Sequence, residues 1–522
     1  MITNIFWRRT YLFIEYQSPE TRDIIIENME SGRKHQLHSK KITDGTCRAK
    51  INLTIAEGRR MLGEGSWIIK DGETGQPLPA GDEVLFRIED FSRVFRYSKD
   101  RFAYVVSFHI EDAADMHPYI RMYTSYMRHN RKPQVQEGKL RPVKAVLNAY
   151  YQVISHLIPK RGKNIMFMSE NMEHIRDNLK AIDTRIKERG LDREFKITYN
   201  FRNIFGHPQD PVSWLKTINK IAKQDFIFVD DYVPIFGFLN LHPGTKLIQA
   251  WHAGFGFKLV GYGRFGIAGS PHPFVSCHRK YDYALIGNDH LREIYSEVFG
   301  IEPGALLATG MPRLEHFLDS DHMEECRQAF YREYPRMKGR RIIIFAPTYR
   351  GIDQASAYYD YDQLDMKRLY DYCCRSNSAV IFKMHHFIRD PFPIRDEYMD
   401  RFLDLSDKNL NDLFYVSDLL ITDYSSCFYD YLLLGRPVLF FVYDKARYSA
   451  TRGVHRPIDK VAPRRVCNDF DELMEALETG DYGEKEAAEM LTDKCRTNEV
   501  TASDKVIDYI LLGKEVPDIC EK

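Results

Sequence analysis

Five short stretches of this chain place chemically able side chains where apolar runs end. They are Gln249-Ala250-Trp251-His252-Ala253-Gly254, Thr309-Gly310-Met311-Pro312-Arg313-Leu314, Ala346-Pro347-Thr348-Tyr349-Arg350, Lys383-Met384-His385-His386 and Thr422-Asp423-Tyr424-Ser425-Ser426. The last is the most specific. Leu419-Leu420-Ile421 reads as a buried strand, and the apolar run resumes as a helix after the serines. A helix opening at Ser425 and Ser426 points unpaired backbone N–H groups and a partial positive charge outward, and that combination binds phosphate. The hydroxyls add donors to phosphate oxygens. Simple helix capping accounts for one serine; two of them, after Thr-Asp at the end of a buried strand, favour a ligand.

The elements that position these residues follow from periodicity. From Lys163 onward strands and helices alternate, in one series through Gly300 and a second from Arg341. Such alternation implies parallel sheets with right-handed crossovers, and two series imply two doubly wound domains facing each other. In open sheets of this kind ligands lie beyond the carboxyl ends of the strands, where the polar stretches fall. Residues 8–112 read differently. Short runs such as YLFIEY, RAKINLTI, SWIIKD, EVLFRIED and AYVVSFHI, split by turn-like segments, predict a small antiparallel sandwich.

Between these regions, Tyr119 to Lys163 holds ten Lys or Arg and one acid, Glu137. Val143, Val146, Leu147, Tyr150, Ile154, Leu157 and Ile158 share one face of a helix there. Packing on its own protein is the favoured reading; docking on an anionic membrane surface is the alternative. The resulting division is a β-rich module over 1–118, a basic linker with an amphipathic helix over 119–162, a first Rossmann-like domain over 163–310 and a second over 311–522.

The totals bound the function class. A chain of 522 residues exceeds one core. Lys plus Arg and Asp plus Glu balance at 74 each, so no global charge points to nucleic acid. Nine cysteines without a CxxC pair read as reduced thiols of a cytosolic protein rather than a disulfide frame or zinc site. The start lacks a signal-peptide core, and no run reaches the roughly 18 apolar residues of a membrane span. Any membrane contact is therefore expected to be peripheral, on the inner face.

QAWHAGFGFKLVGY, ATGMPRLEHF, IFAPTYRG, IFKMHHF and SDLLITDYSSCFYDYLLLGRPVLFFVYDKARYSATRG, in that order, resemble the CDP-glycerol glycerophosphotransferase family, the teichoic acid primases and polymerases. The resemblance covers about residues 163–510. It implies the GT-B fold, with the active site between two Rossmann-like domains, and transfer of glycerol phosphate from CDP-glycerol to a hydroxyl of a cell-wall or capsular acceptor, polymeric or lipid-linked, with CMP leaving. It implies no metal and no cofactor. His252 then matches the base that takes the acceptor proton, with Ala253 where the family usually has Gly. His385 matches a histidine near the donor diphosphate that either binds it or protonates departing CMP. Met384 and His386 replace the family's two prolines around it, and His386 competes for the role. Thr348, Arg350, Lys383, Thr422, Asp423, Ser425, Ser426 and Arg452 match the donor-binding set. Asp423 either orients neighbours or accepts from glycerol hydroxyls. Arg313, at the domain junction, either contacts phosphate or fixes the hinge. CDP-ribitol or a sugar nucleotide as donor, and a non-catalytic scaffold, remain the alternatives.

Overall fold

The computed structural model describes residues 1–522 except 59, 98–101, 114–115, 129–134, 204–210, 253–258, 265–275, 316, 318, 352–356, 389–391, 446, 449–453, 455–457, 459–465, 483–500, 518 and 520–522. Its first part is all-β with one short helix. A four-stranded sheet runs in the order Ile2–Arg8, Tyr11–Gln17, Thr46–Asn52, Ser39–Thr43. A six-stranded sheet runs Lys34–Leu37, Ile24–Asn28, Gly65–Asp71, Met116–Arg128, Phe102–Ala113, Arg93–Tyr97. Period-2 alternation buries Leu12, Ile14 and Tyr16 from one sheet, with Ile24, Ile26 and Trp67 from the other, in one core.

Two expectations change here. EVLFRIED is not a strand: Asp82–Phe86 is a helix and Ile88–Phe91 a 3-10 turn. Asp82 and Glu83 in the first turn complement the helix dipole. The β module also runs past residue 118, because Met116–Arg128 pairs antiparallel with both Phe102–Ala113 and Gly65–Asp71. Ile120, Met122 and Thr124 are buried on its inner face. The basic composition of that stretch concealed a strand alternation.

The helix Val135–Leu157 lies on the first lobe. Leu147 and Tyr151 are buried and Val143, Tyr150, Ile154 and Ile158 pack beside them; Tyr150 donates to Asn219 Oδ1 at 2.8 Å. The packing reading therefore accounts for most of its apolar face. Val146 and Leu157 stay exposed, as does Val153.

The first lobe is a seven-stranded sheet in the order Asn171–Met172, Lys196–Asn203, Asn164–Ser169, Phe226–Val229, Lys246–Gln249, Tyr283–Leu285, Leu306–Leu307, parallel except at Asn171–Met172. The second is six-stranded and parallel, in the order Phe402–Asp404, Ser378–Phe382, Arg341–Phe345, Leu419–Thr422, Val438–Phe441, Val466–Cys467. Ser378–Phe382 and Leu419–Thr422 are buried along their whole length, as strands covered on both faces must be.

Strand order reverses between Asn164–Ser169 and Phe226–Val229 in the first lobe, and between Arg341–Phe345 and Leu419–Thr422 in the second. These are the two switch points at which a crevice opens.

The chain's end does not stay with the second lobe, as the 311–522 division expected. Val506, Ile507, Ile510, Leu511 and Ile519 join Ile165, Phe167, Phe228 and Ile248 in a first-lobe core. Arg185 and Arg189 clamp Asp504 at 2.8 and 2.9 Å. The β module docks on the same lobe. Arg9 meets the buried Glu297 at 3.2 Å, Tyr11 donates to the Glu293 carbonyl at 3.0 Å, and Arg279 donates to the Thr54 carbonyl at 2.6 Å. Burial pushes the Glu297 carboxyl up to about 7.

Candidate active site at the lobe seam

The second-lobe switch point is built around a buried arginine. Arg350 follows the strand Arg341–Phe345 and is 5% exposed. Its Nε and Nη2 donate to Asp444 at 2.6 and 2.8 Å, and its Nη1 donates to Asp423 at 2.7 Å and to the Thr348 carbonyl at 3.0 Å. Tyr359, Tyr424, Tyr443 and Tyr448 surround the guanidinium at 5.2–5.5 Å. Burial opposes its charge, yet Asp423 and Asp444 outweigh it and hold the group protonated.

Asp423 is fully buried and accepts from the Thr348 and Tyr424 N–H groups at 2.8 and 2.6 Å. The Thr422 hydroxyl donates to the Ala346 carbonyl at 2.7 Å. Four members of the expected donor set, Thr348, Arg350, Thr422 and Asp423, are thus joined in an internal network. It shapes the turn above it, and the Arg350 fork is engaged by carboxylates. Both oxygens of Asp423 accept from neighbours within the network.

Ser425 and Ser426 lie above this network, half-buried. Ser425 Oγ accepts from the Cys427 N–H at 3.4 Å, and Ser426 is the helix cap with no side-chain capping bond. The helix Cys427–Leu432 has six residues. So short a helix sums few peptide dipoles, and its N-terminus carries correspondingly little positive charge.

His385 is half-buried beyond the strand Ser378–Phe382, with Tyr349, His386 and Phe387 rings at 4.7, 4.4 and 4.8 Å. Its Nδ1 accepts from the Phe387 N–H at 3.2 Å. An accepting Nδ1 leaves the proton of a neutral ring on Nε2. The Met384 N–H donates to Ser406 Oγ at 3.0 Å, a bond that a proline in this place could not make. Lys383 Nζ donates to the Ser406 carbonyl at 2.7 Å, and burial pushes its ammonium down. Lys383 therefore braces the loop of His385.

On the first lobe, His252 is exposed on the turn after Lys246–Gln249. Its Nδ1 lies 3.4 Å from the Asp230 carbonyl. A carbonyl only accepts, so Nδ1 carries the proton and Nε2 keeps a lone pair for an incoming one. Asp230 and Glu170, at the first-lobe switch point, were not anticipated from sequence. Among the described residues, each has a buried carboxylate oxygen without a hydrogen-bond partner. Burial raises the Asp230 carboxyl to about 6; Asp231 adds to this and His252 opposes it.

Trp251, just before His252, has φ +33°, a left-handed setting that costs a bulky residue roughly 1–3 kcal/mol. Gln249 holds it: Gln249 Oε1 accepts from the Trp251 N–H at 2.9 Å, and Nε2 donates to Tyr281 Oη at 2.8 Å. Asn178 also holds it, donating to the Ala250 carbonyl at 2.8 Å and to the Trp251 carbonyl. Asn178 Oδ1 accepts from the Arg313 N–H at 2.9 Å. The Arg313 guanidinium forks onto Asp430 at 2.6 and 2.9 Å, within the helix that follows Ser426. Arg313 thus bonds to Asn178 of the first lobe and to Asp430 of the second. Trp251, Asn178, Arg313 and Asp430 form a hydrogen-bonded line from the turn of His252 to the helix of Ser426.

Arg452 and Ala253 lie outside the described residues. Among the described residues, the metal-ligand grouping present is His322, Cys326 and Asp412, on the helices Ser320–Glu333 and Leu410–Phe414 rather than at the strand ends.

A family model described as CDP-Glycerol:Poly(glycerophosphate) glycerophosphotransferase matches residues 149–512. The teichoic acid ribitol-phosphate polymerase TarL of Staphylococcus aureus (strain NCTC 8325 / PS 47) is 26% identical over 533 residues, 93% of this chain and 94% of that protein. The ribitol-phosphate polymerase TarK of the same strain is 31% identical over 363 residues, 69% of this chain and 71% of that protein. Among solved structures, the wall teichoic acid polymerase TagF matches with a TM-score of 0.57 and 21% identity, over 73% of this chain and 98% of that one. The two-lobed α/β architecture of the GT-B type, preceded by a β module, is the fold of this protein.

Proposed function

The chain belongs to the CDP-glycerol:poly(glycerophosphate) glycerophosphotransferase family of teichoic acid primases and polymerases, and on that basis we propose that it moves ribitol phosphate from CDP-ribitol to the hydroxyl end of a wall polymer. Transfer of glycerol or ribitol phosphate is the activity class of the family. The choice of ribitol over the CDP-glycerol expected from the motifs is favoured by the ribitol-phosphate relatives, and CDP-glycerol is the second reading. A polymeric acceptor rather than a first linkage unit is favoured by the same relatives.

The observation that carries the reading is the hydrogen-bonded line joining the turn of His252 to the helix of Ser426. It brings an imidazole with an open Nε2 and a pair of hydroxyls to one seam between two nucleotide-type lobes. In the proposed step the acceptor hydroxyl attacks the β-phosphorus of the donor. A new P–O bond forms as the bond to CMP breaks. His252 Nε2 takes the hydroxyl proton. Ser425 and Ser426 donate to the diphosphate, and His385 Nε2–H faces the oxygen of departing CMP. Phosphoryl transfer asks little more of a protein than alignment and stabilisation of charge spread over oxygen.

Ser425→Ala and Ser426→Ala should each weaken donor binding about tenfold, the worth of one hydrogen bond to a charged group at ~1.5 kcal/mol, with the protein still folded. Calorimetric titration with CDP-ribitol, CDP-glycerol and a UDP-sugar checks both points. Tightest binding of CDP-ribitol is the expected order. Tightest binding of CDP-glycerol favours the second reading, and preference for the UDP-sugar removes the proposal.

A peripheral seat on the inner membrane surface is proposed with it. No described helix is long and apolar enough to cross a membrane. Val146, Val153 and Leu157 project 61–76% exposed from one helix, with exposed Lys144 on the same helix and Arg161 and Lys163 just beyond it. Apolar contact plus basic charge suits an anionic surface. Co-sedimentation with phosphatidylglycerol vesicles should exceed that with phosphatidylcholine and fall for Val153→Glu/Leu157→Glu. Equal pelleting on both lipids would count against it.

A further inference from the structure

Asn178 lies in the first turn of the helix Asp177–Glu188 and is 1% exposed. Nothing in the chemistry proposed above requires an amide there. Yet its Nδ2 donates to two consecutive carbonyls, those of Ala250 and Trp251, while its Oδ1 accepts from the Arg313 N–H at 2.9 Å. The Trp251 carbonyl belongs to the peptide that joins Trp251 to His252. Fixing that peptide fixes the direction in which the His252 ring leaves the backbone.

The backbone on both sides of this contact is unusual. Trp251 has φ +33° and Asp177, adjacent to Asn178, has φ +52°. Left-handed settings of non-glycine residues persist only where their surroundings over-determine them. Asn178 contributes to that here, since one side chain engages the carbonyl side of the strained Trp251 while Gln249 engages its N–H. Asparagine also suits the place chemically. The position calls for two donors and an acceptor within one short side chain. Aspartate lacks the donors, alanine lacks both, and glutamine is one methylene too long.

We infer that Asn178 is a positioning residue for His252. Its amide holds the Trp251–His252 peptide in the left-handed setting and ties that setting, through Arg313 and Asp430, to the helix that begins after Ser426. This rests on His252 being the base. The base and the donor seat then share one support, so the spacing between them is set by a side chain that contacts no substrate. Small misplacements of a reacting group cost about a hundredfold in rate.

The test measures CMP release with saturating CDP-alcohol for Asn178→Asp and Asn178→Ala, each in the wild-type and the His252→Ala background. The Asp variant is nearly isosteric and carries the test if the Ala variant does not fold. In the wild-type background kcat should fall about a hundredfold with the donor KM within twofold of wild type. In the His252→Ala background the same change should cost nothing further, because the group it positions is gone. Retention of kcat within threefold overturns the inference. So does an equal loss in both backgrounds, which marks a merely structural asparagine. A crystal structure of Asn178→Asp gives a readout free of activity: Trp251 φ should relax to a negative value, and a φ kept near +33° overturns the inference. If the wild-type protein releases no CMP from any CDP-alcohol, the functional reading falls, and Trp251 φ still decides whether Asn178 holds the turn.

Discussion

His252→Ala lowers CMP release about 10²–10⁴-fold while donor affinity stays within about twofold of wild type, the steepest loss of turnover expected of any single substitution here. The His252 ring is exposed, lies on the first lobe and has its Nδ1 turned to the Asp230 carbonyl. Nε2 is thus the atom left to accept a proton. Removing a general base costs about 10²–10⁴-fold in rate. The donor contacts proposed for Ser425 and Ser426 belong to the second lobe, so binding and chemistry should separate in this variant. Initial rates of CMP release, with calorimetric titration of the same preparation, measure both. Turnover within tenfold of wild type would remove His252 from the mechanism.

Arg350→Ala should fail differently. Motif matching makes Arg350 a donor ligand, and a lost ligand raises the donor KM in a folded protein. Instead the guanidinium is engaged by Asp423 and Asp444 inside a ring of tyrosines. Removing it leaves the buried Asp423 and the half-buried Asp444 without their counter-charge, a defect of about 3–5 kcal/mol. The second lobe should therefore unfold at lower denaturant, or the protein should accumulate insoluble. Arg350→Lys should not restore it, because an ammonium cannot reproduce the fork. Replacing all three groups, as R350M with D423N and D444N, should recover part of the loss, since no charge is then stranded. Denaturant unfolding followed by near-UV circular dichroism reads the order of the variants. An Arg350→Ala protein of wild-type stability with a raised donor KM would return Arg350 to the donor site.

These two outcomes mark the boundary of what the amino-acid string discloses. Residue types and strand ends are legible. The runs ending at Gln249, Phe345, Phe382 and Thr422 are strands of parallel sheets, and His252, His385, Ser425 and Ser426 lie beyond them. Partners are not legible. Arg350 meets Asp444 from 94 positions away and Arg313 meets Asp430 from 117, and nothing local marks either arginine as engaged. Asn178 was missed for the same reason: inside an amphipathic helix, one asparagine carries no periodic or compositional signal. Two strand readings failed through competing signals. Positive charge concealed the alternation of Met116–Arg128, and the apolar run Val84-Leu85-Phe86 outweighed the acids that start a helix there. The return of Val506–Leu511 to the first lobe is a choice between two sheets that linear order cannot express.

The proposed function rests on one seam between two lobes transferring a polyol phosphate with loss of CMP. The most direct measurement is the mass of the products when the intact protein is given CDP-ribitol, CDP-glycerol and a lipid-linked glycan already bearing one polyol phosphate. The expected products are an acceptor series spaced by whole ribitol phosphate units, with one CMP released per unit. A folded protein that leaves acceptor and both donors unchanged, or products spaced by a sugar, would contradict it.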